Sequence, residues 1–282
     1  MGQAVDDIVL DERHWRLEEF DFSPLQRQQV IDDKQLFYLL CSASFVEMLS
    51  DLYTQNLTQY YAGDEEIEHW LKYQWELEEV QHGKSLRAYI LNVWDDFNWD
   101  RAYSHFANEY SARCVRANLE PTRGLEMAAR CVVETGTSTL YRALLNDVST
   151  NHREPVLMAL LDHIRKDEVR HFKYFYRFFK AYQTKEKNST YTVLKSVLKR
   201  VLEAKGDDGY LAYQYVFLEK NQNCHFTEKN YEDFIKSLKT WARKYYPYQM
   251  AVEMLITPLP LPAKVKKNLC PPLVGMAKTI GF

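Results

Sequence analysis

Over long stretches the chain sets apolar residues against charged ones with the 3.6-residue period of amphipathic helices. Residues 1–23 are a polar, aromatic-containing lead-in, and Ser23-Pro24 has the form of an N-cap followed by a first-turn proline. A first helix is expected over about 24–54, and Ala62-Gly63-Asp64 breaks the chain before a second over about 64–92. Asn98-Trp99-Asp100 opens a crossover helix reaching about 115. Pro121 starts a third long helix that runs to about 147, Ser149-Thr150-Asn151 is a short turn, and a fourth helix reaches about 184. Two helical hairpins joined by a long connection, 93–120, are thus expected, followed by helices over 190–204, 210–220 and 230–245. Glycines 206 and 209 break the first of these, and Pro258, Pro260 and Pro262 are expected to end regular structure. No linker marks an independent unit. The reading is therefore a single all-α domain over 1–282, with a bundle over 24–184 and a C-terminal extension over 188–282 that packs on it.

Polar residues inside the apolar stripes change the picture. Glu47 stands in Ser44-Phe45-Val46-Glu47-Met48-Leu49, and Glu134 follows Cys131-Val132-Val133. A carboxylate on a core face is costly without a partner. Each is followed, after 32 and 34 residues, by the first residue of a Glu-x-x-His pattern, at Glu79–His82 and Glu168–His171. On a helix, residues i and i+3 share a face, so each pair can grip one point. One such pair alone is usually a solvated surface feature. Two matching halves form the ligand set of a carboxylate-bridged di-metal site in a helical bundle. Oxygen-rich, nitrogen-poor ligands suit iron, or manganese, better than structural zinc, and four carboxylates offset two divalent ions. The neighbouring acids Asp167 and Glu78 are candidates to hold the outer ring nitrogens of His82 and His171 respectively.

Composition narrows the alternatives. Nine glycines and nine prolines in 282 residues favour a helical protein. A net charge of −3 gives no reason to expect nucleic acid. Five scattered cysteines, Cys41, Cys114, Cys131, Cys224 and Cys270, form no CxxC pair, which fits a reducing, cytoplasmic setting. The start, Met1-Gly2-Gln3-Ala4-Val5-Asp6-Asp7, is not that of a secretory signal, and no apolar run approaches the length of a membrane span.

At these residues the chain resembles the soluble acyl-carrier-protein desaturases of the ferritin-like di-iron superfamily. The matching segments are Glu47-Met48-Leu49, Glu78-Glu79-Val80-Gln81-His82-Gly83, Glu134 with Thr137, and Asp167-Glu168-Val169-Arg170-His171, over about 35–180. The resemblance implies a ferritin-like four-helix bundle with two irons. Glu47, Glu79 and His82 would serve one iron, and Glu134, Glu168 and His171 the other, with Glu79 and Glu168 bridging. It places Thr137 at the oxygen-binding face, able to pass protons, although a helix hydroxyl can equally bond its own backbone. Gly136 beside it would leave room for substrate or for a close helix contact.

The expected activity is O2-dependent oxidation of an unactivated C–H bond, foremost in a fatty acyl chain on acyl-carrier protein. A ferredoxin-type electron donor and a homodimer follow from the same resemblance. A basic helix face, Lys195, Lys199, Arg200 and Lys205, could dock an acidic carrier or donor, or be an ordinary solvated face. Among the tyrosines, Tyr73, Tyr141 and Tyr174 are read as packing residues rather than radical sites. Rival readings are hydroxylation in place of desaturation, N-oxygenation, aldehyde deformylation, a dimanganese catalase, a non-enzymatic iron container and a purely structural helical protein. N-oxygenases add a histidine four residues before the second Glu-x-x-His, where this chain has Ile164, with His163 beside it.

Overall fold

The computed structural model describes residues 15–113, 119–203, 207–222 and 224–280. The first seven residues, Cys114, the expected end of the crossover helix at Val115, Lys205 and Gly206 lie outside them. The described residues are mostly helical, with no strand among them.

The first long helix differs from expectation at both ends. It starts at Lys34, not Pro24, because Asp33 caps it by accepting the Leu36 amide at 2.9 Å. It then breaks at Met48-Leu49, giving α1 (Lys34–Glu47) and α2 (Ser50–Tyr60). The Ser50 hydroxyl donates to the Glu47 carbonyl at 2.8 Å across the break. Together these two helices are long and apolar enough to cross a membrane, contrary to the sequence expectation. Most of that apolar surface is buried within the molecule, and Glu47 lies in its middle.

A short α3 (Glu65–Trp70) runs through a π-helical segment, Leu71–Trp75, into α4 (Glu76–Val93). The crossover helix α5 (Trp99–Ser111) follows, capped by the Asn98 side chain. Thr122 caps α6 (Arg123–Asp147), which ends in a second π-helical segment, Val148–His152. The left-handed Arg153 (φ 54°) then turns the chain into α7 (Pro155–Glu186). Buried Glu154 caps α7 by accepting the Val156 and Leu157 amides, and it also takes the Tyr89 hydroxyl at 3.0 Å.

The extension holds α8 (Thr190–Glu203), α9 (Asp207–Lys220) and α10 (Glu228–Tyr245), close to expectation. Two further helices were not expected: α11 (Tyr248–Ile256) precedes the prolines, and α12 (Ala263–Ile280) follows them, where regular structure was expected to have ended. Pro262 precedes α12 and supplies a carbonyl to the Lys266 amide at 3.1 Å, so it starts a helix instead of ending one. The extension packs on the bundle: Trp241 donates to Asp147 at 2.6 Å, and the Asn146 amide side chain donates to the Tyr245 carbonyl at 2.9 Å.

The core forms two apolar clusters. One includes Leu40, Phe45, Leu86, Tyr141, Leu161 and Ile164. The other includes Leu57, Trp75, Val132, Phe172 and Phe175. Each long bundle helix crosses from one cluster to the other. From the π-helical segment into α4 the crossing falls between Trp75 and Leu86, along α6 between Val132 and Tyr141, and along α7 between Ile164 and Phe172. The glutamates and histidines singled out in the sequence sit at those crossings.

Candidate metal centre

Four helices bring the six residues together, and all six are buried. Glu47 comes from the last position of α1, Glu79 and His82 from one face of α4, Glu134 from α6, and Glu168 and His171 from one face of α7. Two overlapping groups result. In Glu47, Glu79, His82 and Glu168 one ligand atom from each residue lies within 4.8 Å of the others, and the same holds for Glu79, Glu134, Glu168 and His171. Glu79 and Glu168 belong to both groups.

The imidazoles are fixed from outside. His82 Nε2 meets Asp167 Oδ2 at 3.0 Å, and His171 Nε2 meets Glu78 Oε2 at 2.6 Å. A proton on each Nε2 satisfies those carboxylates and leaves the Nδ1 lone pair facing the cluster. There His82 Nδ1 lies 3.0 Å from Glu168 Oε1, and His171 Nδ1 lies 2.8 Å from Glu79 Oε1. Neither contact has hydrogen-bond alignment, so these four buried atoms have no hydrogen-bond partner among the described residues. Inward-facing donor atoms left in this way are costly unless a cation joins them. Arg170 ties the outer acids together, at 2.9 Å from Glu78 and 2.8 Å from Asp167.

Several residues that pattern reading passed over complete the surroundings. Trp15 donates from its indole N–H to Asp167 at 2.7 Å and stacks on His82 with ring centroids 6.3 Å apart. Trp75, from the π-helical segment, donates to Glu134 Oε1 at 3.2 Å. Trp70 stands edge-on to His171. Tyr141 is buried in the core, and its hydroxyl also donates to Glu47 Oε1 at 2.5 Å. Packing alone therefore does not account for Tyr141. Tyr73 is exposed, and Tyr174 stacks on Trp70. Sequence offers no signal for the Trp15 and Tyr141 contacts, whose partners lie 152 and 94 residues away.

Thr137 donates to Glu168 Oε2 at 2.5 Å, while its backbone acceptors, the Glu134 and Val133 carbonyls, lie at 3.3 and 3.5 Å. Its hydroxyl thus reaches the cluster. Beside it, a side chain built at Gly136 would meet nothing within 4 Å, so this glycine serves no close helix contact. At Gly83 the opposite holds: a Cβ would lie 2.7 Å from Met48 Cγ and 2.8 Å from the Met48 amide nitrogen. Gly83 thereby lets the α1–α2 break press against α4 beside Glu79 and His82. Ser44 Oγ donates to the Gly83 carbonyl at 2.8 Å across the same contact.

Charge follows the geometry. Burial pushes the Glu47 carboxyl well up, with Glu79 and Glu168 adding repulsion. Burial raises Glu79 too, again with Glu168 opposing its charge, and pushes Glu134 up to about 7. Burial opposes the charged forms of His82 and His171. Even so, Asp167 and Glu168 carry His82 well above the usual imidazole range, and Glu134, Glu78 and Glu79 do the same for His171. In return, and against their own burial, Glu168 and Asp167 are held low by His82, and Glu78 by His171. Protons shared this closely among buried carboxylates and imidazoles occupy places that a cation can take. The buried Glu/His groups could hold a metal ion.

His163 packs on Trp15, centroids 5.2 Å apart, and on Phe20, outside both groups. It does not supply the extra histidine of the N-oxygenase pattern. On α8, Lys195 is exposed, Lys199 pairs with Glu120 at 2.9 Å, and Arg200 turns inward beside Glu203 and Glu126. No protein-family model matches the chain, and no curated protein matches it.

Proposed function

We propose that this chain is a ferritin-like, di-iron, O2-dependent oxidase that acts on an unactivated C–H bond of a fatty acyl chain, in the manner of a desaturase. The observation that carries the proposal is the doubled half-site: two overlapping donor groups sharing Glu79 and Glu168, each completed by one histidine and one further glutamate. In this reading Glu47 and His82 belong to one iron, Glu134 and His171 to the other, and Glu79 and Glu168 to both. Iron held there would supply reductive activation of dioxygen to an oxidant strong enough for such a bond.

The protein's own groups do the rest. Asp167 and Glu78 hold the imidazoles in one tautomer, and Arg170 holds both acids. Thr137 holds a proton at Glu168 Oε2, on the side of the cluster where a proton donor would be needed. The apolar clusters above and below keep the layer dry, which strengthens each charge–dipole contact in it. Substrate would approach the middle of α6, where Val133, Gly136, Thr137 and Leu140 are half-buried or exposed while most neighbouring turns are buried. The apolar side chains there suit an acyl chain better than an amine, and an acyl-carrier protein and a ferredoxin-type donor are the partners this reading requires.

The test is intact-mass analysis of a panel of acyl-carrier proteins after reaction with the iron-loaded, reduced protein and dioxygen. Loss of two hydrogens is the expected result. Gain of one oxygen would reassign the enzyme as a hydroxylase. No change in any carrier, with dioxygen still consumed, would reject the acyl-carrier reading and direct the search to free small molecules.

A further inference from the structure

A second cluster of polar groups lies on the outer side of α6 and α7, against α11 and α12. There a groove of about 540 Å³ is lined by Arg142 of α6, Arg165 of α7, Lys278 of α12, and Tyr246, Tyr248 and Glu253. On α6, Arg142 is five residues beyond Thr137, well over a quarter turn from its direction, so the groove does not open on the metal-facing side. Three cations from three helices face one carboxylate. Arg142 and Lys278 have no carboxylate partner among the described residues, and Arg165 pairs only with Asp162, at 2.6 Å.

Two donors there are buried without a partner among the described residues: the Tyr248 hydroxyl and Arg165 Nε. Tyr248 is only 4 % exposed, so water does not readily replace the missing acceptor. Glu253 accepts from the Gln249 side chain at 2.9 Å and, among the described residues, forms no ion pair with any of the three cations. Burying two donors without acceptors is unfavourable unless an acceptor completes them, and the cations beside them favour an anion in that place.

We infer that this groove is a binding site for a phosphate monoester. With Lys166 and Asp162, which pair beside Arg165, four cations less two carboxylates leave two positive charges. A phosphate monoester carries about −1.5 to −2 at neutral pH and offers three strong acceptor oxygens, whereas a carboxylate brings half that charge. The groove is much larger than a phosphate, so the organic part of the ligand lies along Tyr246 and its neighbours. Tyr246 also bonds Thr139 of α6, OH to Oγ1 at 2.9 Å, which fixes the groove wall on the bundle.

The test is calorimetric titration of the full-length, metal-loaded protein with phenyl phosphate, and with benzoate as the carboxylate counterpart. Saturable binding of phenyl phosphate is expected, with benzoate at least about tenfold weaker, a difference of about 1.4 kcal/mol. The Arg142→Gln/Lys278→Gln double variant should weaken phenyl phosphate tenfold or more, and Tyr248→Phe severalfold, with metal content unchanged. Arg142→Lys, which keeps the charge, should retain most of the affinity and so separates loss of the anion site from misfolding. No saturation by about 10 mM, benzoate binding equally well, or a double variant that binds like wild type would each overturn the assignment. None of these outcomes depends on whether the metal centre oxidises acyl chains.

Discussion

Thr137 is the residue on which the reading of reactivity turns. A threonine within a helix usually returns its hydroxyl to its own backbone, yet here the shortest contact is to Glu168, at 2.5 Å. Thr137→Val should leave metal content and melting temperature near wild type and lower the rate of product formation by about a hundredfold, the scale of a lost proton donor. Unchanged turnover would return Thr137 to a structural role. Glu134 gives a second test at this scale, in the metal-free protein. Its carboxyl is raised from 4.5 to about 7, so the folded state binds the proton more tightly than the unfolded chain. That contribution is present in full below pH 4.5 and is lost as pH rises through about 7. Metal-free wild type should therefore lose stability between these limits relative to Glu134→Gln, as read by urea unfolding at a series of pH values. Parallel pH profiles for the two proteins would contradict the assigned burial. Loaded protein should show the opposite trend, because ligands must lose protons to bind metal.

Among the elements, the α1–α2 break and the π-helical turn before α4 position the site, and neither was legible. The chain reads as one helix over 24–54 because its apolar spacing continues through Met48 and Leu49. The break depends on the Ser50 hydroxyl taking the Glu47 carbonyl and on room made by Gly83, 36 residues away in sequence. Periodicity carries no record of either. The π-helical turn at Leu71–Trp75 likewise changes the helix phase without a breaker residue, and it sets the Trp75 indole on Glu134. What was legible is the i, i+3 grip of each Glu-x-x-His, since that spacing is local geometry. Legible for the same reason were the bundle helices, with boundaries within a few residues except at α1 and where the π-helical segments interrupt. Helix α12 was missed because Pro258, Pro260 and Pro262 were read as terminators, whereas Pro262 sits at its entrance; α11 ends before Pro258 and was missed independently of them. Gly83→Ala forces Met48 to move against backbone and should cost about 1–3 kcal/mol, with weakened metal retention from a displaced Glu47. Gly136→Ala meets open space in mid-helix and should stabilise by about 0.5–1 kcal/mol. Chemical denaturation of both variants checks the pair, and a Gly83→Ala protein as stable as wild type would refute the close contact.

At the scale of the whole molecule, a polar layer crosses the bundle between two apolar clusters. Most of its acids and imidazoles have partners outside the layer, while Nδ1 of both histidines and one oxygen each of Glu79 and Glu168 face inward without one among the described residues. A layer built this way stabilises the fold only when something positive fills it, because buried carboxylates repel one another without it. Chelation should accordingly lower the melting temperature, and excess ferrous iron should restore it. The C-terminal helices add a second feature at this scale. Tyr191, Leu194, Leu198 and Leu202 of α8 stand exposed in a row, alongside the exposed Lys195.

The direct test of the proposed di-metal centre is the number of irons retained per chain after anaerobic loading and gel filtration, in wild type and in His82→Ala and His171→Ala. Two irons per wild-type chain are expected, with loss of iron in either variant, since each histidine completes one half of the shared site. Wild-type protein that keeps no iron, or one iron unaffected by either substitution, would contradict a di-metal centre at these residues.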